Sequence, residues 1–115
     1  MVSIMPQNDI PLSELYRISA EAYVEAESRA RQFEEGKSIA LAEMINKLCD
    51  ADEKLSQAKA ERIAKASPEY KGYLRRMHDA RTEANLRAVD REVLKMKHSE
   101  WLMGRAAQRD ERRLG

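Results

Sequence analysis

The chain has 115 residues, which is enough for one domain. Charged residues make up 36% of it and aromatic residues only 5%, a composition that is typical of long helices and excludes a disordered chain. Because the net charge is +1 and Cys49 is the one cysteine, the composition as a whole indicates no polyanion partner and excludes an intrachain disulfide.

Residues 1–10 have no hydrophobic period, and we predict a mobile N-terminal arm there, followed by a single domain over residues 11–115. A first helix is expected to begin near Pro11 and Ser13. Its alanine-rich side would let a partner helix approach closely, in a hairpin or a tight oligomer. Gly36 lies within this helix and predicts a kink or a close crossing. The residues on this side are Tyr16, Tyr23, Ala26, Ala30, Phe33, Ala40, Met44, Leu48, Ala51 and Leu55.

The helical pattern weakens around residues 49–53. Either the first helix ends there and Asp50 or Asp52 caps a short segment over residues 53–66, or the first helix continues to Ala66. The end of the first helix therefore stays open between about residue 48 and residue 66. In both cases the chain reverses before Ser67.

A long second helix is predicted over residues 67–114, because Ser67 can cap its first turn and Pro68 suits its first position. Its apolar side recurs at steps of three and four. The sequence thus predicts an all-α fold, a long antiparallel helical hairpin with coiled-coil-like packing. Two helices bury little apolar surface alone, so we also expect a homo-oligomer of undetermined subunit number, formed through the alanine-rich sides. The apolar side of the second helix comprises Tyr70, Tyr73, Met77, Ala80 and Ala84.

Two rows of residues run side by side down the second half of this helix. We interpret the apolar one as a packing surface and the basic one as a candidate anion-binding surface that faces DNA, protein or solvent. The basic row continues the phase of Ala84, with Arg87, Arg91, Lys95, His98, Leu102, Arg105, Arg109 and Arg112. The apolar row, interrupted by Glu100, consists of Leu86, Val89, Val93, Met96, Met103 and Ala107.

The two halves of the chain carry opposite charge. Residues 1–66 hold nine Lys and Arg against twelve Asp and Glu, whereas residues 67–115 hold twelve against eight. The net charges are therefore −3 and +4. Pairing between the halves, within a chain or between subunits, competes with binding of a polyanion.

The residues that would carry catalysis are missing, and we expect no enzyme, cofactor or metal. His78 and His98 lie far apart in sequence, without other ligands at metal-binding spacing. Cys49 has no base beside it and is expected to be an inert thiol. No apolar run reaches transmembrane length, which predicts a soluble, intracellular protein without membrane contact.

Binding to single-stranded DNA requires cations that follow the phosphates and aromatic rings that stack on bases. Trp101 lies between Lys97 and Arg105 at one-turn spacing and meets this description. The alternative is that Trp101 anchors a helix interface. The candidate nucleic-acid-binding residues are Arg87, Arg91, Lys95, Lys97, Trp101, Arg105, Arg109 and Arg112.

The run from Glu61 to Tyr70, with the alanine-rich and basic run to Leu114, resembles small helical proteins of tailed phages and prophages. The run from Lys37 to Leu41, and the spacing from Ser67 to Lys97, are more distantly similar to UvsY-type recombination mediators. This resemblance implies a helical oligomer that binds single-stranded DNA and helps load a recombinase onto strands coated by single-strand-binding protein, in the cytoplasm of a bacterial host cell.

Three hypotheses of function follow. The first is a phage recombination mediator with single-stranded DNA and a recombinase or single-strand-binding protein as partners. The second is a coiled-coil adaptor or inhibitor that binds other proteins and has no enzymatic activity. The third is an enzyme subunit that has no active site of its own.

Overall fold

The structure is a computed structural model that describes residues 10–114, and the side chains of residues 10–113. This part of the chain contains three helices, α1 (Leu12–Ala51), α2 (Gln57–Ala66) and α3 (Pro68–Leu114). Helices α1 and α3 pack against each other as a hairpin, which confirms the predicted fold class. Residues 1–9 of the predicted arm lie outside the described residues, and the division into an arm and a single domain stays a prediction.

The chain turns sharply between α1 and α2. The Lys54 N–H donates to the Asp52 carboxylate at 3.0 Å, and the Leu55 N–H donates to the Asp52 carbonyl at 3.1 Å. Helix α2 then begins behind Ser56, whose hydroxyl accepts from the Lys59 N–H at 3.2 Å. The first helix thus ends before the short segment, as one alternative predicted. The predicted caps, Asp50 or Asp52, were wrong. The Asp52 carboxylate accepts a hydrogen bond within the turn, and Ser56 caps α2.

One residue, Ser67, separates α2 from α3. Its backbone is extended, its hydroxyl donates to the Ala64 carbonyl at 2.6 Å, and the same oxygen accepts from the Tyr70 N–H at 3.2 Å. Pro68 is the first residue of α3. The predicted start of the long helix is therefore confirmed, and Ser67 joins the end of one helix to the cap of the next.

Contacts divide the chain into two compact units, and each contains a part of α1 and a part of α3. The α2 unit is Ala26–Ala84, and the terminal unit is Met1–Glu25 with Asn85–Gly115, of which residues 10–25 and 85–114 are described. The buried residues of the described chain all belong to the α2 unit. They are Ala26, Ala30, Ala60, Ala64, Tyr70, Ala80 and Ala84.

Helices α1 and α3 run antiparallel in the α2 unit. The Tyr73 hydroxyl donates to the Phe33 carbonyl at 2.6 Å, and the two rings pack edge to face at 5.6 Å. The Arg81 guanidinium donates to Glu34 at 2.8 and 2.7 Å and to Glu27 at 2.7 Å. Since Glu27 precedes Phe33 whereas Arg81 follows Tyr73, the two helices run in opposite directions.

The Arg81 cluster joins the acidic first half of the chain to the basic second half, as predicted for pairing within a chain. Hydrogen bonds from Arg81 hold the pKa of the Glu27 and Glu34 carboxyls below the ordinary value of 4.5. The same bonds raise the pKa of Arg81, the largest effect coming from Glu34. Because all three side chains are partly exposed to solvent, the cluster orients the helices more than it stabilises them.

The predicted apolar sides of both helices agree with the burial in the structure. On α3 every predicted residue from Tyr70 to Ala84 is buried or half-buried. On α1 the same holds from Tyr16 to Leu48, whereas the exposed Ala51 ends the helix and Leu55 lies in the turn. The prediction is therefore wrong only where α1 stops.

Gly36 lies where α1 and α3 approach closely, as one of its two predicted roles required. A Cβ at this position would lie 3.1 Å from the Tyr73 hydroxyl oxygen. This is the hydroxyl that donates to the Phe33 carbonyl. A side chain at residue 36 would therefore push against a hydrogen bond that holds the two helices together.

We expect the effect of Gly36→Ala on stability to depend on Tyr73. Alanine in a helix interior normally gains about 1 kcal/mol over glycine. That gain should appear in a Tyr73→Phe chain, where the hydroxyl is gone, and be reduced or reversed in the wild type. Urea unfolding of the wild type, Gly36→Ala, Tyr73→Phe and the double variant measures the free energies of unfolding to be compared. Gly72→Ala is the control, because its Cβ would make an ordinary contact of 3.7 Å with Arg76. An equal effect of Gly36→Ala in both backgrounds would contradict this account.

Candidate interaction surfaces of α3

The side of α3 that faces α1 is lined mainly by alanine and aromatic residues in the α2 unit and has a more mixed composition in the terminal unit. After Ala84, the half-buried residues of α3 are Ala88, Arg91, Leu94 and His98, spaced at three and four residues. They continue the phase of the alanine side. The first part of the basic row therefore lies on the hairpin side of α3, a position that its unbroken phase with Tyr70 and Ala84 already indicated in the sequence.

Arg91 packs against α1 within the terminal unit. Its guanidinium carbon lies 4.4 Å from the centre of the Tyr23 ring, and its side chain is one-third exposed. The Arg91 Nε is buried, and no residue in the described chain accepts a hydrogen bond from it. Arg91 thus contributes a cation–π contact and an aliphatic stem to the packing of the two helices.

Arg87 lies beside a groove between the α1 and α3 parts of the terminal unit. The groove has a volume of about 390 Å³, and its apolar lining includes Leu15, Ile18 and Leu94. One Arg87 Nη donates to the Asp90 carboxylate at 3.2 Å, and Asp90 also lines the groove. Of the eight predicted nucleic-acid-binding residues, Arg91 is therefore packed against α1, whereas Arg87 stays exposed and bonds Asp90 on its own helix.

The apolar row of α3 faces solvent. We call it the apolar stripe, and its members are Leu86, Val89, Val93, Met96, Met103 and Ala107. The exposed fraction of its five large side chains ranges from 44% at Val93 to 70% at Met103. On a helix with 3.6 residues per turn, the stripe lies opposite the side that carries Arg91 and His98. The stripe is thus exposed in the single chain, with Val93 also lining the groove beside α1, and its role as a packing surface stays a prediction.

Exposed apolar residues are concentrated in the terminal unit. Of the twelve large apolar side chains that are exposed among residues 10–113, ten belong to this unit, and only Ile39 and Ile63 belong to the other. On α1 they include Ile18 and Val24. Large exposed apolar patches mark sites of interaction with other molecules.

The last part of α3, residues 99–113, has only exposed side chains, and we call it the α3 tail. Trp101 is 49% exposed, stacks on the His98 ring at 6.0 Å, and has the Arg105 guanidinium 5.0 Å from its ring centre. The structure therefore does not use Trp101 as an anchor between the helices of one chain. Six cations in and near the tail form no ion pair with any carboxylate of residues 10–113: Arg113 and five of the predicted DNA-binding residues, Lys95, Lys97, Arg105, Arg109 and Arg112.

Groups with other chemistry are sparse in the described chain. Within residues 10–114, no cluster of three or more His, Cys, Asp or Glu side chains is placed to bind a metal ion. Cys49 is a half-buried free thiol. None of the helices in this range has a stretch that is apolar and long enough to span a membrane.

The two environments within the basic row predict different effects on stability. Arg91→Ala should lower the free energy of unfolding by about 1–2 kcal/mol, because it removes the contact with Tyr23 and the buried stem. Arg109→Ala, in the exposed tail, should change it by less than about 0.5 kcal/mol. Urea unfolding measures both values. Equally small losses in the two variants would show that Arg91 is as solvated as Arg109.

No protein-family model, curated protein or solved structure matches this chain. The resemblance to small phage proteins and to UvsY-type mediators therefore stays a prediction from the sequence.

Proposed function

We propose that this protein is a non-enzymatic coiled-coil association protein, whose apolar stripe binds a helix of another polypeptide chain. The exposure of the stripe is the observation that carries the proposal. From Leu86 to Ala107 the stripe follows alternating steps of three and four, the spacing at which one helix packs along another. Large side chains that have this spacing and are exposed along one helix face are suited to packing against a partner helix.

The energetics favour association of modest affinity. Fully burying one large apolar side chain contributes about 1.5–3 kcal/mol. About half of each large stripe residue is still exposed, so a similar partner helix would bring the total gain to on the order of 10 kcal/mol. Association itself costs about 4–15 kcal/mol. The stripe therefore fits a reversible complex better than a permanent one.

Placing two carboxylates in the stripe should abolish its binding capacity. In Val89→Asp/Met96→Asp both substituted residues are well exposed in the single chain, so we expect the helix content to be unchanged. Lys95→Glu is the matched control, because it changes the charge by the same amount at an exposed position outside the stripe. Light scattering measures association, and fluorescence of anilinonaphthalene sulfonate measures apolar surface in the chains that remain monomeric.

The wild type and the Lys95→Glu control should either associate or, as monomers, bind the dye. The doubly substituted chain should do neither. A wild-type chain that neither associates nor binds the dye would reject the proposal, because its stripe would then offer no apolar surface to a partner.

A second candidate is binding of single-stranded DNA by the α3 tail. It is favoured by the half-exposed Trp101 and by the five predicted DNA-binding cations without an acidic partner in the described chain. From the resemblance, the corresponding activity is that of a phage recombination mediator with a recombinase or single-strand-binding protein as partner. Arg87 and Arg91 are left out of the phosphate contacts of this proposal, since Arg91 packs on Tyr23 of α1 and Arg87 already bonds the Asp90 carboxylate on α3.

Five phosphate contacts predict a strong dependence of DNA affinity on salt. Each contact with single-stranded DNA contributes about −0.7 to the log–log slope, which gives a slope of about −3.5. Fluorescence anisotropy at about 50 and 200 mM salt measures it. Arg109→Glu/Arg112→Glu should abolish binding, whereas Arg75→Glu/Arg76→Glu, with the same charge change in the α2 unit, should preserve it. A slope near zero would reject this candidate.

A further inference from the structure

We propose that the helix bound by the apolar stripe is α3 of a second copy of this chain, in antiparallel orientation, with Leu86 opposite the partner's Met103. This inference rests on the proposed function, because it names the partner of the same surface. It differs from the oligomer expected from the sequence, since the alanine-rich sides are buried within the α2 unit of one chain.

The spacing of the stripe matches the core positions of three heptads of a coiled coil. The first core positions are Leu86, Val93, Glu100 and Ala107, and the fourth positions are Val89, Met96 and Met103. Glu100 is the one charged residue among these seven. In a parallel pair in register, Glu100 would face the partner's Glu100 at the centre of the interface, where two carboxylates repel each other. The sequence of the stripe therefore favours an antiparallel pair.

One antiparallel register matches the large side chains. In it Leu86 faces the partner's Met103, Val93 faces the partner's Met96, and Glu100 faces the partner's Val89. Each contact occurs twice because the pair is symmetric. No two core carboxylates meet, and the long Glu100 side chain lies near the end of the contact, where its carboxylate can reach solvent.

The residues that flank the stripe select the same register. On one flank, Asp90 faces the partner's Lys97, and this attraction also occurs twice. A shift by one heptad in one direction places Asp90 opposite the partner's Asp90. The opposite shift places Lys97 opposite the partner's Lys97. Both neighbouring registers therefore bring like charges together within the stripe, whereas the proposed register pairs Asp90 with Lys97.

The charged residues of this flank are placed for such contacts. Asp90 and Lys97 are exposed, and the Asp90 side chain retains 56% of its surface while it bonds Arg87 within its own chain. On the other flank, Glu92 faces the partner's Ser99, which adds no repulsion. The stripe is thus complementary to itself in shape and in charge.

The stripe is also long enough for a coiled-coil contact. Seven core positions extend over about 32 Å of helix, at 1.5 Å per residue.

Engineered disulfides test both the partner and the orientation. In a Cys49→Ala background, chains with Leu86→Cys are mixed with chains with Met103→Cys in a glutathione redox buffer. We expect crosslinked dimers in the mixture and few in either variant alone. Chains with Gln108→Cys, exposed and outside the stripe, control for random collisions. Crosslinking of each variant with itself but not in the mixture would overturn the antiparallel register.

A charge exchange tests the register independently. Asp90→Lys alone, or Lys97→Asp alone, should weaken the dimer several-fold in light scattering, because each creates two like-charge pairs. The double variant Asp90→Lys/Lys97→Asp should restore the affinity. Loss of affinity without restoration would overturn the proposed flank contacts.

Failure of this inference can be distinguished from failure of the proposed function. A wild-type chain that stays monomeric yet binds the dye along the stripe would reject a second copy and leave the stripe as the surface for another helix. A chain that neither associates nor binds the dye would reject both.

Discussion

The close contact between α1 and α3 in the α2 unit is the constraint on which the rest of the structure depends. Alanine occupies the buried positions, so the helices lie near enough for the Tyr73 hydroxyl to reach the Phe33 carbonyl past Gly36. An alanine-lined contact buries little apolar area per residue. No large side chain is fully buried within residues 10–113. The Tyr73–Phe33 contact past Gly36 therefore fixes how the two helices align, whereas the alanine core contributes little to the free energy of unfolding.

This constraint also accounts for the chemistry of the terminal unit. The hairpin side of α3 continues in phase beyond Ala84, where Arg91 is half-buried among Ala88, Leu94 and His98. An arginine stem can cover apolar surface while its guanidinium packs on a ring, as Arg91 does over Tyr23. The apolar stripe of α3 lies on the opposite side of the helix from Arg91.

Much of this architecture was predictable from the sequence. The three-four spacing located the apolar sides of both helices, and Ser67 with Pro68 located the start of α3. The cap of α2 was not predictable, since Asp50, Asp52 and Ser56 are all suitable capping residues and only the turn geometry selects among them. The role of Arg91 was also missed. A basic residue in phase with buried alanines can face a partner helix, and the presence of Tyr23 across from it depends on the tertiary fold.

The apolar stripe and the basic row are two faces of one helix in different surroundings. The hairpin side has half-buried residues as far as His98, whereas the stripe is exposed along its whole length, with Val93 at the edge of the groove beside α1. On a helix face that contacts only solvent, large apolar residues such as Val89, Met96 and Met103 would contribute no stability. Their coiled-coil core spacing is typical of an interaction surface. The charges beside the stripe distinguish between registers of the proposed dimer. Asp90 and Lys97 attract each other across the dimer in the proposed register, whereas in each neighbouring register one of them faces its own copy and is repelled. In the proposed dimer, hydrophobic spacing supplies the affinity, and the flanking charges restrict the pairing to a single alignment.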